Sequence, residues 1–132
     1  MPQDAISPPP GKAALWIGRV LSGLVSAFLI MSAVMKLSGA PELAAAFGHL
    51  GVPLDMTRTL AVLELSCVLL YALPQTAVLG AVLLTGYLGG AIFAHVRVGD
   101  PFITVLILGV VAWGALYLRD PRVRRLLPLR SV

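Results

Sequence analysis

From Thr59 to Val96 the chain carries one formally charged residue, Glu64. It lies six residues after Arg58, about 9 Å along a helix, in an otherwise apolar run. A carboxylate in such surroundings must be neutralised, paired or turned toward a wet cavity. Lys36 is the expected partner, because it ends the preceding apolar run. His95 and Arg97 end the following one. A carboxylate beside an ammonium and an imidazole can relay protons, hold a polar headgroup or hydrogen-bond the carbonyls of a quinone. The plainer alternative is a structural salt bridge that pins two helices, with His95 and Arg97 snorkelling to the surface. No catalytic residue is assigned and no metal is expected. Cys67 stands alone, so no internal disulfide or CxxC pair can form, and its apolar setting suits an inert small residue.

The elements that must position these groups are membrane spans. Of 132 residues, 58% are hydrophobic and 12% charged, with a mean hydropathy of +0.93. An ordinary soluble domain carries about 25% charged residues, so this chain lacks the polar groups to cover a soluble surface. The expected fold is all-α and integral to a membrane: a four-helix transmembrane bundle with a short interfacial helix between spans one and two. Spans are expected at Ala14–Lys36, Arg58–Leu73, Thr76–His95 and Phe102–Leu118. Residues 13–118 then form the membrane domain, 1–12 a disordered proline-rich tail and 119–132 a basic tail. Between the first two spans, Pro41 and Glu42 suit a helix's first turn and Gly51 its stop. That segment, Pro41–Leu50, is too short to cross and should lie on the surface as a roof.

Pro74 and Gln75 leave almost no loop between spans two and three, so these must form an antiparallel hairpin. Asp100 is expected to cap the fourth span, with Pro101 at its first position. Four spans put both termini on one side. There Lys12, Arg19, Arg119, Arg122, Arg124, Arg125 and Arg130 outnumber Lys36, Arg58 and Arg97 opposite, which favours cytoplasmic termini in a bacterial inner membrane. The sequence pI near 9.8 has the same explanation, and nucleic acid is not an expected partner. Trp16, Trp113 and Tyr117 suit headgroup anchoring.

Lys36, Glu64, His95 and Arg97 all fall at the outer end in this topology, beneath the roof. Tyr87, Ala91 and His95 share a helix face, so Tyr87 can reach the pocket floor. Gly86, Gly90 and Ala94 recur every four residues, as do Gly18, Ser22 and Ser26. Such faces let helices approach closely, and a contact between spans one and three is expected, with a homodimer seam as the alternative.

Three stretches, FLIMSAVMKL (Phe28–Leu37), VLELSCVLLYALP (Val62–Pro74) and above all LTGYLGGAIFAHVRVGDP (Leu84–Pro101), resemble the DoxX-like family of small bacterial four-helix membrane proteins. The resemblance runs from about Leu15 to Leu118. Lys36 and Glu64 match the family's usual basic and acidic positions, and Gly86, Gly90 and His95 its third-helix pattern. It implies a membrane bundle and, from some relatives, a place in redox assemblies: thiosulfate oxidation coupled to quinone, or complexes with thiol and superoxide enzymes. The expected role is therefore an accessory subunit of a membrane redox system that binds quinone or lipid, with a redox partner protein. A proton-coupled transporter and a non-catalytic scaffold are the alternatives. No cysteine pair or facing histidine pair offers self-contained thiol or haem chemistry.

Overall fold

The computed structural model describes Pro9 and residues 11–127. Most of the proline-rich tail, and Arg130 at the other end, lie outside the described residues. Six helices follow in order: α1 (Lys12–Ser38), α2 (Pro41–Leu50), α3 (Met56–Ala72), α4 (Ala77–Arg97), α5 (Ile103–Arg119) and α6 (Pro121–Leu126). There is no strand among the described residues. Helices α1 and α4 are each long and apolar enough to cross a membrane, and α5 is shorter and also apolar.

The distribution of side chains is the reverse of a soluble bundle. On α1 the buried positions are Gly18, Ser22, Val25, Leu29 and Ala33, a single face of small and medium residues. Its largest apolar side chains point outward: Trp16 is 62% exposed, Leu24 62% and Met31 65%. Small residues inside and large apolar ones outside is the arrangement that helices adopt when their surroundings are themselves apolar.

Each long helix packs against two others. α1 lies on α3 and α5, and α4 lies on the same two, so α1 and α4 sit across the bundle from one another. The expected contact between the first and third spans is thus replaced by a diagonal. Gly18 instead meets α5, where an added Cβ would lie 2.8 Å from the Ala115 carbonyl oxygen and 3.0 Å from the Arg119 nitrogen. Ser22 turns to α3, its Oγ 3.3 Å from the Tyr71 hydroxyl, while Ser26 is half-buried. The tightest approach falls to Gly80, which the small-residue spacing did not single out. A Cβ there would stand 2.1 Å from the backbone nitrogen of Tyr71. The reason is the α3–α4 turn at Pro74–Gln75, closed by Thr76 Oγ1 donating to the Leu70 carbonyl at 2.8 Å, which draws the two backbones together.

Gly86 and Gly90 are the converse. Both are exposed, and nothing stands within 4 Å of a Cβ built on either. Among the described residues no helix packs against their bare face, and with Ala94 it borders a cavity. Two further expectations change. Asp100 does not cap α5, which starts at Ile103 without a side-chain cap, because its carboxylate reaches His49 on α2 instead. The basic tail begins with helix α6, whose Asp120 accepts the Arg122 backbone N–H at 2.9 Å and whose Val123 is buried.

Candidate functional site

The antiparallel course of α1, α3, α4 and α5 brings the end of α1, the first half of α3 and the end of α4 to one end of the bundle. There the helices enclose a cavity of about 570 Å³, a volume typical of small-molecule sites. α2 covers it, with Leu43, Phe47 and Leu50 lining the wall. α2 is delimited as its sequence suggests, by Pro41 at the first turn and by Gly51, which adopts the left-handed conformation (φ 68°) that ends a helix without penalty for glycine. Gly39, on its other flank, is also left-handed (φ 69°).

Polar groups enter the cavity at few points. Glu64 is almost wholly buried, at 1% exposure. Its Oε2 lies 2.7 Å from the Lys36 ammonium, which also donates to Ser32 Oγ at 2.6 Å. The Tyr87 phenol, on α4, comes close enough to the Glu64 carboxylate to interact with it. His95 lines the cavity farther out, and its Nδ1 donates to the Ala91 carbonyl at 2.8 Å. That bond fixes the ring: Nδ1–H is committed to the backbone, and Nε2 is the nitrogen left for a ligand, an acceptor when the ring carries one proton.

Arg97 stands apart from this group. Its guanidinium donates to the Leu50 carbonyl at the end of α2, so it braces the roof from outside and does not line the cavity. Beside it His49 Nε2 and Asp100 Oδ1 are 3.0 Å apart, a second tie between α2 and the α4–α5 loop. The spacing of Asp100 suited a helix cap, and only the folded chain shows that α2 passes within its reach.

The mouth of the cavity is flanked by Phe28, Gly86 and Gly90, all three exposed on the helix flanks and all lining the interior. Cys67 is buried in the apolar core beyond Glu64. Among the described residues no three His, Cys, Asp or Glu side chains converge as a metal site would require. The arrangement offers an apolar chamber with donors, Lys36 and Tyr87, and acceptors, Glu64 and His95 Nε2, on its inner wall.

The model of the DoxX-like family matches residues 20–118, three quarters of the chain, and takes in every residue that lines this cavity. The chain belongs to the DoxX-like family. Its match extends from Val20, in the first half of α1, to Leu118, in the last turn of α5, so the DoxX-like region covers most of the bundle. No curated protein and no solved structure matches this DoxX-like chain.

Proposed function

We propose that this DoxX-like protein is a four-span membrane subunit that binds a quinone, or a lipid of similar shape, in the cavity between α1, α3 and α4, as an accessory to a membrane redox system. The observation that carries the reading is the Lys36–Glu64 pair on the wall of an apolar chamber whose mouth opens on the helix flanks. A quinone has the complementary form: an apolar body and tail, with carbonyls that accept from the Lys36 ammonium and the Tyr87 phenol. Its reduced form has hydroxyls that donate to Glu64 or to His95 Nε2. A mouth on the helix flank admits such a ligand from the bilayer without passage through water.

The outward apolar faces and the two long apolar helices support a membrane setting, with α3 and α5 as the shorter spans among longer neighbours. The excess of Lys and Arg at the end bearing both termini supports cytoplasmic termini in a bacterial cytoplasmic membrane. A transporter that exchanges a proton for a cation needs a carboxylate free to change partners. Here Lys36 already occupies Glu64 at 2.7 Å, which favours binding over exchange.

The test is mass spectrometry of the organic extract from protein purified gently out of its native membrane, wild type against Glu64→Gln. A quinone near one per chain in the wild type and lost in the variant is the expected result. Bulk lipid alone in both samples overturns the quinone reading and leaves the pair as a structural bridge.

A further inference from the structure

The opposite end of the bundle holds a second cleft, of about 460 Å³, where α1 passes the α3–α4 turn and the α5–α6 junction. Arg19, Arg119 and Arg122 line it, with Asp120 the one acidic side chain there. Asp120 already accepts the Arg122 backbone N–H, and none of the three guanidiniums forms a salt bridge with an acid at this site. Arg119 is held in place: Nη2 donates to the Tyr71 carbonyl at 2.7 Å and the guanidinium stacks over the Tyr71 ring at 5.0 Å. Its Nε is buried with no acceptor. Arg19 is steadied by Trp16, 5.5 Å from its ring.

Three guanidiniums line one cleft, two of them held by Trp16 and Tyr71, with a single carboxylate among them, and an anion placed between them relieves their mutual repulsion. We propose that this cleft binds a phosphate group. Guanidinium forks match phosphate oxygens in pairs, and a phosphate has enough oxygens to meet three of them at once. The position of the cleft indicates where the phosphate comes from. It lies where α1 passes the ends of α3 and α5, next to outward apolar side chains such as Leu73, 53% exposed beside Pro74, at the level where a membrane's headgroup layer would meet these helices. An anionic phospholipid headgroup therefore seats between the arginines while its tails lie against the apolar flank of the bundle. The site is separate from the cavity at the other end and does not depend on what that cavity holds.

Native mass spectrometry of the full chain in a neutral detergent, titrated with phosphatidylglycerol, phosphatidylcholine or inorganic phosphate, tests the assignment. The wild type should retain one phosphatidylglycerol in preference to phosphatidylcholine. The double variant Arg19→Gln/Arg122→Gln, which leaves Arg119 on Tyr71, should bind it about thirty-fold more weakly. Arg58→Gln makes a charge change at the far end and should leave retention unaltered. Binding of inorganic phosphate that the double variant loses, with no preference for phosphatidylglycerol, keeps the phosphate site but makes its source a soluble anion. Equal retention of phosphatidylglycerol by the wild type and a double variant of unchanged helicity overturns the proposal, as does a loss in Arg58→Gln equal to that in the double variant.

Discussion

The two ends of the bundle are built from similar residues and do opposite things. At the end that carries the termini, Gly18 and Gly80 let backbones meet within a distance that no Cβ would allow. Tyr71 there is wholly buried, its hydroxyl donating to the Ala112 carbonyl at 2.7 Å and lying against Ser22. At the other end Gly86 and Gly90 touch nothing, and the helices part around a cavity that α2 covers. A glycine in a membrane-type helix is thus a position without bulk, and the crossing of the helices decides whether that space is filled by a neighbour's backbone or left for a ligand. The closed end lets the open end splay without coming apart, since α1, α3, α4 and α5 are clamped there.

The comparison breaks most directly through its glycines. Gly80→Ala places a methyl 2.1 Å from the Tyr71 nitrogen, a backbone atom that cannot swing aside, so the α3–α4 contact must open. A loss of at least about 3 kcal/mol is expected, read as a fall in melting temperature or failure to recover folded protein. Gly90→Ala should leave melting unchanged and reduce the ligand recovered with the protein. If both variants melt alike, the two ends do not differ as described.

Next in size is the ion pair. Glu64→Ala strands the Lys36 ammonium against an apolar wall and should cost about 3 kcal/mol. Glu64→Gln can still accept a hydrogen bond and should cost less. Melting curves in one detergent separate the three proteins, and coincident curves would show that the 2.7 Å contact contributes nothing to stability. A smaller effect distinguishes the two tyrosines. Tyr71→Phe removes a buried hydrogen bond at the closed end and should lower stability by about 1 kcal/mol, without change in ligand content. Tyr87→Phe should do the reverse, sparing stability and lowering retention.

Much of this was legible in the chain because charges are so rare in it. With Glu64 alone between Thr59 and Val96, and with the Pro74 turn forcing a hairpin, Lys36, Glu64 and His95 had to fall at one end. The ends of α2 were legible for a local reason: Pro41 can start a helix and Gly51 can stop one. What stayed hidden depended on distance in space. The repeat Gly86, Gly90, Ala94 advertises a bare face, but repetition does not say what faces it. Gly80 has no such repeat, and its signal was its place one turn beyond a two-residue connection. Arg97 and Asp100 were misplaced for a similar reason. Both belong to the end of α4 and the loop after it by sequence, and both turn to α2, whose position no local pattern records.

The smallest expected effect concerns that roof. α2 is held by two ties, Arg97 to the Leu50 carbonyl and His49 to Asp100 at 3.0 Å, and is flanked by left-handed glycines at 39 and 51. The His49 and Asp100 side chains are 58% and 34% exposed, so solvent screens their attraction. His49→Ala should therefore change global melting by only a few tenths of a kcal/mol. Its effect should be local: faster amide exchange in α2, whose Leu43, Phe47 and Leu50 cover the cavity, with α3 and α5 unaltered. Arg97→Gln should raise exchange in the same segment, and the two together should loosen it further, since each ties a different point. Exchange in α2 unchanged by either substitution would mean that Phe47, buried at 8% exposure, holds the roof by packing alone. The open end would then be closed by the same kind of apolar contact as the clamped one.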